Sequence, residues 1–327
     1  RTGVRFERAY CANPVCVPSR VAMLTGRMPS MFGMQTNQQV EIPHPVRQTS
    51  LGHIFRRAGY VTAYGGKVHV PGRIESYGFR VISSDQRAEM AEACADFIRQ
   101  SHDRPFLLVA SFINPHDICY MAINDHDRKR GSPLRKNEAQ KVLADVLLQR
   151  GDIPDEEFYE KYCPPLPDNH QVPEDAPDAL RPPYGGFRGH AFDNWGERQW
   201  RLHRWAYAQL TNRVDAQIGV VLGALRETGK QKRTLVVFTS DHGDLDGAPR
   251  LEHKSFFYEE SARVPFIVSW EGVTEAGKVD RRHLVSTGLD LIPTLCDFAG
   301  VEVPEQLRGL SVRALAEGRE PQRWREW

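Results

Sequence analysis

Apolar residues follow two spacings along this chain, one typical of strands and one typical of helices. Continuous apolar runs predict strands at residues 60–64, 106–113, 235–239 and 264–268. Apolar residues at helical spacing predict helices at 87–100, 205–225 and 289–299. This alternation favours one α/β domain over residues 1–327, with a mixed, mostly parallel sheet flanked by helices. The runs at 106–113 and 235–239 are expected to be buried on both faces.

Residues 120–195 depart from this alternation, because they begin with basic residues and are rich in proline further on. We expect an irregular insertion here, partly helical around residues 136–148. A solvated face is predicted for its basic residues Arg128, Lys129, Arg130, Arg135 and Lys136. The alternative is that this basic stretch helps to hold an anionic polymer.

Three polar residues follow the ends of predicted strands, namely Lys67, His116 and Asp241. The carboxyl ends of parallel strands meet at one edge of a sheet, and ligands bind in the crevice outside that edge. We therefore expect these three side chains to line one crevice.

A short helix is predicted to begin beside Cys16, because Pro18 suits a first turn and Gly26 suits the residue that closes a helix. The N-terminus of that helix and the guanidinium of Arg20 together favour a bound oxyanion such as sulfate or phosphate. The alternative is that Cys16 is a buried packing residue and Arg20 a surface cation.

Composition narrows the class of protein only slightly. The chain has 43 basic and 42 acidic residues and a formal charge of +1, so no global positive field predicts nucleic-acid binding. No apolar run is long enough to span a bilayer, and residues 1–20 do not resemble a signal peptide. The cysteines show no CxxC pair and are expected to be mostly free thiols: Cys11, Cys16, Cys94, Cys119, Cys163 and Cys296.

Four segments together indicate a family. Residues 16–27, which begin Cys-Val-Pro-Ser-Arg and end Leu-Thr-Gly-Arg, closely resemble the signature of the type I, formylglycine-dependent sulfatases of the alkaline phosphatase superfamily. Three further stretches resemble other motifs of that family and follow one another in the same order as in the family. They are Gly66-Lys67-Val68-His69, Asn114-Pro115-His116, and Ser240-Asp241-His242-Gly243 with His253-Lys254. The resemblance implies an alkaline-phosphatase-like fold and hydrolysis of a sulfate ester in a glycan or another sulfated small molecule.

The resemblance also implies roles for individual residues. Cys16 would be converted to formylglycine by a formylglycine-generating enzyme, and one hydroxyl of the hydrated aldehyde would attack sulfur. Arg20 would orient the diol, Lys67 would contact the diol and the sulfate, and His69 would be the base that lets the aldehyde form again. Sulfate oxygens would be bound by His116 and Lys254.

A calcium ion is implied as well, with Asp241 and His242 as ligands, although an imidazole is an unusual calcium ligand. In the family an earlier strand supplies a further acidic pair, and this sequence contains no Asp-Asp pair. We therefore expect a chain without the family's first strand and small C-terminal domain, with an unpaired strand edge and exposed apolar surface beside residues 235–239. A periplasmic or secreted location is favoured, and no membrane span is predicted.

Three other functions remain open at the level of the sequence. A phosphonate or phosphate diester hydrolase of the same superfamily would use a similar site for a tetrahedral anion. A sulfoglycan-binding protein with an impaired metal site would bind the substrate without turning it over. A thiol hydrolase would use unmodified Cys16 with a histidine.

Overall fold

The computed structural model describes residues 2–133, 137–178 and 185–325, and contacts within the chain divide it into two units. The first unit comprises Arg1–Phe112, Gly219–Gly243 and Lys254–Trp327. The second unit comprises Ile113–Ile218 and Asp244–His253. The basic pair Arg135 and Lys136, singled out above, lies outside the described residues.

The first unit contains three sheets. In the largest, β6 (Val236–Thr239), β7 (Phe266–Ser269), β1 (Val4–Phe6) and β8 (Val279–Asp280) lie side by side in that order. β7 is antiparallel to both of its neighbours, and β1 is parallel to β8. In the second sheet β3 (Val61–Gly66) lies between β4 (Arg80–Ser83) and β5 (Phe106–Ser111), and all three strands are parallel. The third sheet pairs β2 (Ala9–Tyr10) in parallel with β9 (Val285–Ser286).

Two strands are less buried than their apolar sequences predict. Every residue of β5 except Ser111 is only partly buried, and β6 has no buried residue. The reason is pairing: in the described part of the chain β5 pairs only with β3, and β6 only with β7. Burial on both faces is therefore a wrong prediction for these strands. The unpaired edge and exposed apolar surface expected beside residues 235–239 are confirmed, since Phe238 is 39% exposed.

Among the described residues, seven α-helices lie entirely within the first unit, which also contains the last part of the helix Glu197–Glu227. The seven are α1 (Cys16–Thr25), α2 (His44–Gln48), α3 (Leu51–Arg57), α4 (Met90–Arg99), α10 (Glu259–Ala262), α11 (Thr287–Ala299) and α12 (Arg313–Ala316). Gly26 closes α1 with a φ of 66°, as predicted. α1 packs closely on α11 at Gly288, where a Cβ atom would lie 2.7 Å from the Cβ of Ala22.

The second unit is helical in its described residues. It contains α5 (Tyr120–Lys129), α6 (Glu138–Leu148), α7 (Asp155–Lys161), α8 (Gly186–Asn194) and the first part of α9 (Glu197–Glu227). The segment predicted as an irregular insertion, 120–195, thus holds more regular structure than its proline content suggests. The cause is burial, because Val142, Val146 and Phe158 pack with Trp205 and Leu210 in one apolar cluster.

Within the described residues, no helix combines the length and the apolar character that crossing a bilayer requires. All six cysteines are free and buried, in agreement with the prediction of mostly free thiols.

Candidate active site

Cys16 begins α1 and is fully buried. The preceding residue, Val15, is extended, so the chain enters the helix directly at the cysteine. The backbone N–H of Val17 donates to the Oδ1 atom of Asn37, and the hydroxyl of Ser19 donates to the backbone carbonyl of Asp241. These contacts fix the first turn of α1 and join it to the loop that follows β6.

Three side chains contact the sulfur of Cys16. The Nε2 atom of His242 lies 3.2 Å from Sγ, the Nζ atom of Lys67 donates to Sγ over 3.5 Å, and His69 also forms a hydrogen bond with it. Burial by itself raises the pKa of this thiol, but the hydrogen bonds from His242 and His69 and the charges of Lys67 and Lys254 lower the pKa to about 3. Unmodified Cys16 is therefore a thiolate at neutral pH.

Arg20 lies one turn further along α1 and points to the same place. Its Nε atom donates to Oδ2 of Asp241 over 2.7 Å, and its Nη1 atom donates to the carbonyl of Lys67 over 2.8 Å and to the hydroxyl of Ser111 over 2.9 Å. Burial lowers the pKa of Arg20, but the charge of Asp241 outweighs burial and raises it above its ordinary value. Arg20 thus ties α1 to the ends of β3, β5 and β6.

Asp241 is the carboxylate of this cluster. Burial raises its pKa, but Arg20, His242 and Lys67 bring the pKa well below its ordinary value. Its Oδ2 atom lies 3.7 Å from the Nζ atom of Lys67, which is itself only 5% exposed. Burial lowers the pKa of Lys67. The carboxylate therefore offsets part of a large positive charge in a place with little water.

The orientation of His242 follows from its backbone contacts. The Nδ1 atom of His242 lies 2.7 Å from the carbonyl oxygen of Gly243. A carbonyl oxygen can only accept, so Nδ1 carries a proton and Nε2 faces the sulfur of Cys16. Gly243 is required here, because a Cβ atom at this position would lie 1.9 Å from the backbone oxygen of Glu260.

The structure brings together most of the residues predicted for the site. Lys67, Asp241, Arg20, His69, His242 and Lys254 all belong to the first unit with Cys16. Lys254 is buried, and its charge lowers the pKa of both Cys16 and Asp241. His116 belongs to the second unit, where its ring lies 6.1 Å from that of His253.

Three contributors were missed by the sequence analysis: Tyr64, Ser111 and Asn37. The hydroxyls of Tyr64 and Ser111 both donate over 2.7 Å to the carbonyl of Lys67, and so hold in place the residue that follows β3. Their position near the ends of two predicted strands was the only signal. Asn37 had none.

The donor set of this site does not fit calcium, the metal that the resemblance implies. In the described part of the chain, Cys16, Asp241 and His242 form the group whose ligand atoms all lie within 4.8 Å of one another. Oδ2 of Asp241 is bound by Arg20, which leaves Oδ1. Calcium takes roughly six to eight oxygen ligands. One carboxylate oxygen, one imidazole nitrogen and the side chain of residue 16 do not make such a site.

Comparison with known proteins identifies the family. A sequence model of the sulfatase family matches residues 1–301. The chain belongs to the sulfatase family. This sulfatase chain is similar to the Delta 4,5-hexuronate-2-O-sulfatase of Bacteroides thetaiotaomicron, with 29% identity over 342 residues, 97% of this chain and 65% of the relative. It therefore spans less than two thirds of the length of that relative.

Solved structures agree with this assignment. A 2-O GAG sulfatase is 26% identical and superposes with a TM-score of 0.80 over 99% of this sulfatase chain and 68% of its own. A phosphonate monoester hydrolase of Agrobacterium radiobacter gives a TM-score of 0.64 at 20% identity over 99% and 72% of the two chains, which shows a shared fold alone. The predicted α/β, alkaline-phosphatase-like fold is confirmed.

Proposed function

We propose that this chain carries the active site of a sulfuric ester hydrolase that acts on a sulfated carbohydrate, with residue 16 converted to formylglycine. The observation that supports the proposal most is the charge around residue 16. Three cations, Arg20, Lys67 and Lys254, lie around residue 16, and Asp241 is the carboxylate that pairs with Arg20 and Lys67 there. A neutral side chain at position 16 would leave an excess of positive charge, which suits a sulfate group.

Formylglycine, when present, supplies a hydrated aldehyde whose hydroxyl is a nucleophile for sulfur. Lys67, whose Nζ atom already contacts the side-chain atom of residue 16, would hold that hydroxyl and one sulfate oxygen. His69 would accept a proton from residue 16, since it hydrogen bonds to the same side chain. Lys254 would bind sulfate oxygens and give a proton to the leaving alcohol, and the same role for His116 stays a prediction.

Arg20 keeps the orienting role that was predicted for it, but acts on residue 16 indirectly. Its guanidinium is held by Asp241, Ser111 and the carbonyl of Lys67. We infer that Arg20 orients residue 16 through Asp241 and α1, and adds positive charge. Calcium stays a prediction, with the carboxylate of Asp241 as a suitable ligand and the imidazole of His242 as an unusual one.

The substrate class is proposed from the relatives. The two sulfatases described above are named for 2-O sulfates of hexuronate and of GAG. We propose a sulfated glycan for this chain too, and a formylglycine-generating enzyme as the partner that modifies Cys16. A periplasmic or secreted location likewise stays a prediction, testable by cell fractionation.

The test is a comparison of two forms of the chain. Protein made together with a formylglycine-generating enzyme would be digested, and the mass of the peptide that covers residues 11–27 would be measured. We expect an aldehyde at position 16, and turnover of an aryl sulfate that exceeds turnover of an aryl phosphonate.

Cys16→Ser should abolish turnover, whereas Cys94→Ser, which changes another buried cysteine, should retain it. A thiol at position 16 in fully active protein would contradict the proposal. Faster turnover of the phosphonate would favour the phosphonate hydrolase, and binding of sulfated glycan without turnover would favour a binding protein.

A further inference from the structure

The unmodified form of the site has a second chemical property, which comes from its three potential metal ligands. Sγ of Cys16 lies 3.2 Å from Nε2 of His242, and that nitrogen lies 3.8 Å from Oδ1 of Asp241. All three ligand atoms fall within 4.8 Å of one another. They come from two places in the sequence, the start of α1 and the loop after β6, so the fold is what assembles them.

The distances suit a small ion. Zinc binds sulfur at about 2.3 Å and nitrogen or oxygen at about 2.0–2.2 Å, so the ligands of a tetrahedral site lie roughly 3.3–3.6 Å apart. The two separations above, 3.2 and 3.8 Å, need only small shifts to meet that geometry. The ligand types agree as well, because thiolate, imidazole and carboxylate are the usual ligands of zinc, whereas calcium takes oxygen.

Neighbouring groups fix the orientation of two of the three potential ligands, His242 and Asp241. The Nδ1 atom of His242 donates to the carbonyl of Gly243, the arrangement that fixes the ring of a metal-binding histidine and leaves Nε2 for the metal. Oδ2 of Asp241 is held by Arg20, so Oδ1 keeps a fixed direction. Apart from the N–H of His242 itself, 3.1 Å away, Oδ1 has no hydrogen-bond donor among the described residues.

We propose that the chain with an unmodified cysteine at position 16 binds a zinc-class divalent metal through Cys16, Asp241 and His242. A fourth position is left for water. Conversion of Cys16 to an aldehyde removes the sulfur and with it this site, so the state of residue 16 decides whether the chain binds a metal of this class. This inference is independent of whether the modified chain hydrolyses sulfate esters.

The positive charges of Arg20, Lys67 and Lys254 oppose a metal here, and Lys67 contacts both Cys16 and Asp241. The ammonium of Lys67 lies 3.5 Å from the sulfur and 3.7 Å from Oδ2 of Asp241, and would repel a divalent cation. Replacing Lys67 by methionine keeps the volume and removes the charge. Lys67→Met should therefore bind the metal about tenfold more tightly, a change opposite in sign to its effect on sulfate binding.

The experiment uses cobalt as a coloured substitute for zinc. The full chain would be made in a host without the modifying enzyme, its thiol at position 16 would be verified by peptide mass, and Co²⁺ would be titrated into the reduced, metal-free protein. We expect the near-ultraviolet charge-transfer absorption of a cobalt thiolate, which stoichiometric Zn²⁺ removes and excess Ca²⁺ does not.

Variants decide which residues are responsible. Cys16→Ser should lose the absorption, and His242→Asn should keep it with binding weaker by about tenfold or more. Cys94→Ser is the matched control and should behave as the parent chain, with circular dichroism as the check that each variant folds. The proposal is wrong if the unmodified chain shows no absorption, if Cys16→Ser keeps it, or if calcium displaces cobalt as readily as zinc does.

Discussion

Two aspartates in the loop after β6 pair with basic side chains in different surroundings. Asp241, in the first unit, accepts from Arg20 over 2.7 Å and lies 3.7 Å from Lys67. Asp246, in the second unit, accepts from Arg204 over 3.0 Å and lies 3.4 Å from the fully buried His203. Each carboxylate therefore joins an arginine and a second basic side chain.

The two clusters differ in the residues that surround the ion pair. The cluster of Asp241 contains Cys16 and the ends of three strands. The cluster of Asp246 lies among aromatic rings, where Trp195 and Trp200 are 5.7 and 6.2 Å from His203. Burial lowers the pKa of His203, but Asp246 raises it above its ordinary value, so the charged form is favoured there without a nucleophile nearby. An ion pair thus marks a reactive site only where it positions a reactive side chain.

The largest difference in turnover and stability between the two clusters is expected when the arginine of each is replaced. Arg20→Met leaves Asp241 without its closest partner and should lower kcat/KM for an aryl sulfate on the order of 10²–10³-fold. It should also lower the free energy of unfolding by about 3–5 kcal/mol, because both side chains are nearly buried.

Arg204→Met is the matched variant in the second unit. Arg204 and Asp246 are 21% and 24% exposed, so the loss of stability should be smaller, about 1–3 kcal/mol. Turnover by this variant should stay within about threefold of the parent chain. Equal losses of turnover in the two variants would remove the distinction between the clusters.

The effect of Asp241→Asn on the free energy of unfolding should depend on pH. In the folded chain the pKa of Asp241 lies well below the value of about 3.9 expected when unfolded. Its charge therefore stabilises the fold fully above about pH 5, and this contribution is lost as the pH falls towards the folded pKa. Urea titrations should show the variant about 3 kcal/mol less stable at pH 7, with a smaller difference below pH 4.

The double variant Arg20→Met, Asp241→Asn is the control for this effect. Because both charges are then removed, it should lose less stability than the two single losses added together. Additive losses, or a difference that does not depend on pH, would contradict the pairing.

The first cluster could be predicted from the sequence because each of its main residues lies in a recognisable motif or directly after a predicted strand. Cys16 and Arg20 share one signature, and Lys67 and Asp241 follow strands that apolar runs reveal. The part played by Ser111 could not be predicted, because its hydroxyl matters only through its contact with the carbonyl of Lys67, which depends on the pairing of β3 with β5.

The neighbours that a segment acquires in the fold, rather than its own composition, explain the other wrong or missing predictions. An apolar run reports that a strand prefers burial, but β5 and β6 are partly exposed because each is paired on one side only in the described residues. The second cluster has no motif at all. His203 and Trp200 come from α9 and Asp246 from a distant loop, so only their packing in the second unit joins them.

Gly243, which lies between the two aspartates, gives an intermediate effect. Gly243→Ala places a Cβ atom 1.9 Å from the backbone oxygen of Glu260, and the backbone must shift. We expect about 1–3 kcal/mol less stability, and turnover lower by on the order of 10²-fold because His242 is displaced. Gly219→Ala, on α9 with no atom within 4 Å of the new Cβ, should retain activity and gain up to about 1 kcal/mol.

The smallest effect, a difference in stability, is expected between variants of two tryptophans within the second cluster. Trp195 and Trp200 are both buried, with ring centroids 4.9 Å apart. Nε1 of Trp195 donates to Oδ2 of Asp125 over 2.9 Å, whereas Nε1 of Trp200 has no hydrogen-bond partner among the described residues.

Replacement by phenylalanine removes a similar apolar volume from each position, so the hydrogen bond should decide the difference. Trp195→Phe should be about 1–2 kcal/mol less stable than Trp200→Phe in urea titrations, since it loses a bond to a carboxylate and Trp200→Phe loses only an unpaired donor. Turnover of an aryl sulfate should change little in both. Equal stabilities would show that packing alone, rather than polar contacts, holds the second cluster together.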